Sequence, residues 1–181
     1  MALARQYQKK RAKATPYICL LFKTIIMMKW LWLSILAVIL DQLSKIWIGS
    51  TMSLYQSIPV FPGFNITYVH NFGAAFSFLS DQGGWQRWFF ALLAASISVG
   101  IVFWIKRLKP QEILSAISLS LILGGAIGNL IDRVMYGYVI DFFDVYYQSW
   151  HWPVFNIADS AITAGVALML LESFIHKEQE G

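Results

Sequence analysis

The chain has 181 residues, 57% hydrophobic, 16% aromatic and only 13% charged, where a soluble domain carries about a quarter charged residues, so an ordinary soluble globule is excluded. Its formal charge of +4 is unevenly distributed, which makes nucleic-acid binding a poor account of the basic balance. The single cysteine, Cys19, excludes an internal disulfide, and its YICLLF setting lacks the basic neighbours that activate a thiol.

In chain order, residues 1–27 form a basic arm, followed by a membrane domain over 28–176 and a short tail, 177–181. The arm has two readings: an anchor to anionic lipid that helps to fix topology, or a stretch preceding a true translation start at Met27 or Met28. A span needs about 20 apolar residues to cross about 30 Å of hydrocarbon, and four segments qualify: 30–48, 88–105, 113–131 and 155–175. Lys23 and Lys29 interrupt the apolar tract before Trp30, so that tract reads as an interfacial lead-in. The first span runs into Asp41 and Lys45 and has no small-residue cleavage site, unlike a cleaved signal peptide.

Lys and Arg fix the expected orientation. Arg5, Lys9, Lys10, Arg11, Lys13, Lys23, Lys29, Lys106, Arg107, Lys109 and Lys177 fall on one side, against Lys45, Arg87 and Arg133 on the other. Both termini are therefore expected in the cytoplasm, with the loops 49–87 and 132–154 outside. In the first outer loop, FPGFNITYVHNFGAAFSF mixes β-branched and aromatic residues with turn glycines and predicts short strands on the membrane surface. On the third span, Gly124 and Gly128 form a small-x-x-x-small pattern suited to close helix packing. The segment FFDVYYQSWHW, 142–152, reads as a lid or interfacial anchor.

The acids are the unusual feature. An Asp at the centre of a membrane helix costs about 2.5 to 3.5 kcal/mol on insertion scales. Yet Asp41, Asp132, Asp141, Asp144 and Asp159 all fall near the outer boundary, with Asp81 apart from them. Asp159 lies in the first turn of the fourth span, where the helix dipole favours an anion, with Asn156 one turn away on the same face. Asp141 follows Gly137, where a helix can stop and the chain fold back. If the two acids meet, they share a proton, which is the electrostatic requirement of an aspartic peptidase. The alternative is that each caps a helix or pairs with Arg133. Asp41 and Lys45 have the i,i+4 spacing of an ion pair.

Other chemistries lack parts. There is no G-x-S-x-G elbow and no H-E-x-x-H. His70, His151 and His176 lack metal-ligand spacing, and His70 and His151 are expected at a wet interface beside Trp and Tyr. No metal and no cofactor is expected. A small proton-coupled transporter using the same carboxylates fits the four spans, although a transport relay belongs near the midplane. A membrane assembly factor with structural acids is a third reading.

The motifs DQLSK (41–45), NFGAAF (71–76), GNLIDR (128–133), GYVIDF (137–142) and FNIADS (155–160) occur in this order, and together the chain resembles the bacterial lipoprotein signal peptidases, or signal peptidase II. The resemblance implies an all-α integral membrane fold with a small outer β-sheet. It also implies an aspartic endopeptidase of the inner membrane that removes signal peptides from lipid-modified prolipoproteins just before the diacylglyceryl cysteine. By resemblance, Asp141 and Asp159 are the catalytic pair; Asn71, Asn129, Arg133 and Asn156 line the site and hold substrate; Asp41, Lys45, Gly73 and Asp132 support it. Asp144 matches no family position and is expected to be an outer, solvated acid. The N-I-T sequon at Asn65 is expected to be irrelevant as a glycosylation signal if the protein is bacterial, as the resemblance implies.

Overall fold

The computed structural model describes residues 24–73 and 84–179. Cys19, Asp81, most of the basic arm and residues 74–76 of the NFGAAF motif lie outside the described residues. The chain order is α1 (Leu31–Thr51), β1 (Ser57–Phe61), β2 (Phe64–Asn71), α2 (Trp85–Arg107), α3 (Ile113–Met135), β3 (Val139–Tyr147), β4 (Trp150–His151) and α4 (Ile157–Gln179). All four helices are long and apolar enough to cross a membrane, and each contains or closely overlaps one expected span. Ahead of α1, residues 24–28 are also helical, and Met27 is buried against Ile101, Ile105 and Leu119.

The bundle inverts the polarity of a soluble protein. Along α1 the buried residues Ser34, Ala37, Asp41, Lys45 and Ile48 recur every three or four positions, whereas Trp32, Ile35, Ile39, Leu43, Ile46 and Trp47 face outward. That is the stripe expected when the surroundings are lipid and the polar groups must find partners inside. Helix α3 is central and packs against α1, α2 and α4. Its glycines make this possible. A Cβ on Gly124 would sit 2.8 Å from the Ala37 Cβ of α1, and one on Gly125 would collide with the Ala158 carbonyl of α4. The expected packing pattern is thus used, with Gly125 serving the second neighbour.

At one end of the bundle lies a four-stranded antiparallel sheet of order β1-β2-β3-β4. Strands β1 and β2 come from the first outer loop; β2 falls in the stretch whose composition predicts strands, and β1 lies before it, sharing only Phe61. The second outer loop also supplies strands. The segment 142–152, expected as a lid or anchor, is largely β3, a turn and β4, and Asp141 lies on a strand, not in a loop. The junction is made by Gly137 at φ +87°, where Tyr136 and Gly137 both donate their N–H to the Asp132 carbonyl and close α3 with a left-handed residue. Arg87 reinforces this end by donating to the carbonyls of Arg133 and Val134 at 2.7 Å each. Pairing of Val69 with Asp141 and of Asn71 with Val139 then brings the first outer loop beside the second.

Candidate active site

Asp141 enters the site from β3 and Asp159 from the first turn of α4. Both line one pocket of about 970 Å³ together with Asn71, Asn129, Arg133 and residues of the 152–155 segment. Asp141 is 1% exposed, and both its oxygens are bound: Oδ1 accepts Asn156 Nδ2 at 2.6 Å and Oδ2 accepts Asn71 Nδ2 at 2.9 Å. Asp159 Oδ1 accepts Asn129 Nδ2 at 2.7 Å, while Oδ2 accepts the backbone N–H of Asn156 at 3.2 Å. Burial first, and then the nearby charge of Asp159, push the Asp141 carboxyl up to about 7 against the hydrogen bonds from Asn71 and Asn156. A carboxyl at that value exchanges a proton near neutral pH, which suits general acid and base work.

Beneath the pair lies a layer of buried ions. Lys45 Nζ donates to Asp41 Oδ2 at 2.8 Å, to Asp132 Oδ2 at 2.9 Å and to Asn129 Oδ1 at 3.0 Å. The i,i+4 pair read from sequence is present, but it is part of a larger cluster. Gln42 completes it, donating to Asp132 Oδ1 at 2.9 Å and to Asp41 Oδ2 and the Gly128 carbonyl at 3.2 Å. The carboxylates then reach the chain that carries the pair. Asp41 Oδ1 accepts the Ala158 N–H at 2.9 Å, and Asp132 Oδ2 accepts the Ile140 N–H at 3.1 Å.

Arg133 stays in the site without an ion pair among the described residues. Its guanidinium donates to the carbonyls of Asn129 at 3.2 Å and Gly73 at 3.0 Å and lies 5.4 Å from the Phe90 ring centre. Of the alternative in which each aspartate caps a helix or pairs with Arg133, the pairing is absent among the described residues, whereas Asp159 does accept the Asn156 N–H at the start of α4. Asn71 Oδ1 accepts the Gly73 N–H at 3.0 Å, so Gly73 joins both Asn71 and Arg133. Among the described residues, no three His, Cys, Asp or Glu side chains converge as a metal-ligand group.

Three features differ from, or add to, the sequence reading. Asp144, expected as a solvated acid, is 4% exposed and accepts from Asn65 Nδ2 at 3.1 Å and Thr67 Oγ1 at 3.0 Å, with His151 Nδ1 at 2.6 Å. It braces β2, β3 and β4, and Asn65 of the sequon is one of its donors. His70 lines the pocket, stacked 3.7 Å from Tyr138 and 2.8 Å from the Tyr68 hydroxyl. Burial holds its imidazole below the ordinary value. Along α4, Ser160, Thr163, Ala164 and Ala167 extend the pocket wall. Their i, i+3, i+4 and i+7 spacing from Ser160, the residue beside Asp159, was the signal in sequence that could have found them.

The family model described as Signal peptidase (SPase) II matches residues 33–175. A lipoprotein signal peptidase of Alteromonas mediterranea is 55% identical over 147 residues, covering 81% of this chain and 81% of the relative. One from Acinetobacter baumannii strain SDF is 54% identical over 151 residues, covering 83% and 85%. A solved bacterial membrane enzyme superposes with a TM-score of 0.76 at 34% identity, covering 84% of this chain and 92% of that one.

Proposed function

The chain belongs to the signal peptidase II family, and from that premise we propose that it is an aspartic endopeptidase of prolipoproteins, cutting just before the diacylglyceryl-modified cysteine with water activated between Asp141 and Asp159. The observation that carries the mechanism is the convergence of the two carboxyl groups on one pocket, each fixed by asparagine amides. With one proton shared, the ionised aspartate removes a proton from the water as its oxygen attacks the scissile carbonyl. The protonated aspartate donates to the carbonyl oxygen. Collapse of the tetrahedral species breaks the C–N bond: the new amine leaves with the proton taken from the water, and the proton on the carbonyl oxygen returns to the aspartate that donated it.

Asn71 and Asn129 each spend one side-chain N–H on an aspartate, so in this reading they hold the pair in place and meet the substrate backbone with the other, whereas Asn156, expected to hold substrate as well, is fully buried outside the pocket lining with its amide wholly engaged and holds the pair only. Arg133 supplies the cationic wall. Asp41, Lys45, Asp132 and Gly73 support these groups from behind. The unequal distribution of Lys and Arg supports a site at the outer face of a bacterial inner membrane, with both termini in the cytoplasm. There the lipid of the substrate stays in the bilayer during cleavage, and each CH₂ kept there is worth about 0.8 kcal/mol. The transporter reading is weaker, because the carboxylates adjoin the sheet at one end of the bundle.

The deciding experiment mixes purified protein in detergent with a diacylglyceryl-modified prolipoprotein. Asp141→Asn and Asp159→Asn are each expected to abolish cleavage while remaining folded, with a cooperative melting transition. Cleavage retained by either folded variant sinks the assignment of the pair.

A further inference from the structure

We propose that Lys45 is a positioning residue for the peptidase reaction, fixing the side-chain amide of Asn129 with its NH₂ group turned toward Asp159; this rests on the reading of Asp141 and Asp159 given above. Lys45 is 2% exposed, and its ammonium group has three N–H donors and no acceptor. All three are in use: on Asp41 Oδ2, on Asp132 Oδ2 and on Asn129 Oδ1. None is left for a substrate.

The third contact sets the chemistry one bond further on. Asn129 Oδ1 also accepts Asn156 Nδ2 at 3.1 Å, so two donors meet that oxygen and the NH₂ end must point the other way, onto Asp159 Oδ1 at 2.7 Å. Rotating the amide by half a turn would set NH₂ against an ammonium and turn an oxygen toward a carboxylate, losing three hydrogen bonds and creating two repulsive contacts. Without Lys45, Asn156 Nδ2 would be the single donor left on that oxygen. The buried cation adds a charged donor to that of Asn156 and so strengthens the orientation, and Asp41 and Asp132 keep the cation in place.

Lys45 could also matter only as a brace, since Asp41 and Asp132 tie it to the Ala158 and Ile140 N–H groups. A double-mutant cycle on cleavage of a diacylglyceryl-modified prolipoprotein separates the two roles. In the Asn129 background, Lys45→Met is expected to lower kcat by about 10-fold to 100-fold, the scale of a misplaced catalytic group, with KM changed less than about 2-fold. In the Asn129→Ala background, the same Lys45→Met change is expected to lower kcat by less than about 2-fold, because the amide it orients is gone. Equal factors in both backgrounds overturn the proposal and leave Lys45 a brace.

Lys45→Met strands two buried carboxylates, so the cycle is also run with Asp41→Asn/Lys45→Met/Asp132→Asn, which removes the charges together. The same contrast between the two Asn129 backgrounds is expected. If Asp159→Asn cleaves normally, the reading of the pair falls; if it is inactive and the cycle is additive, only the role of Lys45 falls.

Discussion

Asn156 and Asp159 bind each other's backbone: the Asp159 N–H donates to Asn156 Oδ1 at 2.9 Å and the Asn156 N–H to Asp159 Oδ2 at 3.2 Å. This reciprocal cap closes the start of α4 and uses a proposed catalytic carboxylate as one of its two parts. Asn156 has a second task, because its Nδ2 reaches Asp141 Oδ1 and the Ile140 carbonyl.

The two tasks are separable. Asn156→Ser keeps a hydroxyl able to cap the helix but cannot reach Asp141, whereas Asn156→Ala loses both. Asn156→Ser is expected to melt above Asn156→Ala by an amount equivalent to about 1 kcal/mol, the usual worth of an N-cap. Both are expected to lose cleavage by about 10-fold or more, since each frees an oxygen of Asp141. Wild-type activity in Asn156→Ser would show that the bond to Asp141 is dispensable.

The raised Asp141 carboxyl links stability to pH. Its ordinary value is 3.8 and its value in the fold is about 7, so the fold prefers the protonated form. The stability that this preference contributes is complete below pH 3.8 and is lost as pH rises toward 7. Asp141→Asn, which stays neutral, is therefore expected to melt higher than wild type at about pH 8 and no higher at about pH 4, with at most about 4 kcal/mol between them. Melting curves in detergent at the two pH values test this. A constant offset between the proteins contradicts the shift.

The glycines of the bundle differ in what they face. A Cβ at Gly125 would strike the backbone of Ala158, the residue before Asp159, whereas one at Gly100 would meet nothing within 4 Å. Gly125→Ala is expected to cost about 1 to 3 kcal/mol and to reduce cleavage by displacing the start of α4. Gly100→Ala is expected to be neutral or stabilising by up to about 1 kcal/mol, from helix propensity alone. Gly165, against the Ser118 carbonyl further down α4, is the intermediate case: its alanine variant is expected to lose stability with a smaller loss of turnover. Equal melting temperatures for the Gly125 and Gly100 variants would remove the packing argument.

The spans were legible because about 20 apolar residues in a row have few other uses, and the helix start at Asp159 was legible from local spacing. Asp41 and Lys45 were legible as a pair, since i,i+4 contacts are local. Their joining to Asp132, Gln42 and Asn129 was not, because those contacts cross between α1 and α3, some 84 to 90 residues apart in sequence. The strand that carries Asp141 and the burial of Asp144 were not legible for a related reason. Read as part of a loop or lid, Asp144 has no reason to be buried; on a strand, an odd separation from Asp141 sends it to the opposite face. There the partners are Asn65 and Thr67, which β2 supplies only once the two outer loops pair.

That buried Asp144 supports a last prediction. Burial alone would raise its carboxyl, but the hydrogen bonds from His151, Asn65 and Thr67 outweigh burial and hold it below 3.8. A carboxyl lowered by folding stabilises the protein above its unfolded value, and that contribution disappears as pH falls through the lower, folded value. Wild-type protein is therefore expected to lose stability in acid below about pH 4 through this group, with β2 and β3 amides exchanging faster in hydrogen exchange. Asp144→Asn is expected to be less stable than wild type at neutral pH by about 1 to 3 kcal/mol, because three donors lose a charged acceptor, and to show a flatter acid limb. Below its melting temperature it is expected to retain cleavage within a few-fold, since Asp144 bonds to none of the residues that hold Asp141 or Asp159. Loss of turnover in folded Asp144→Asn, comparable to that expected for Asp141→Asn, would instead put Asp144 in the reaction.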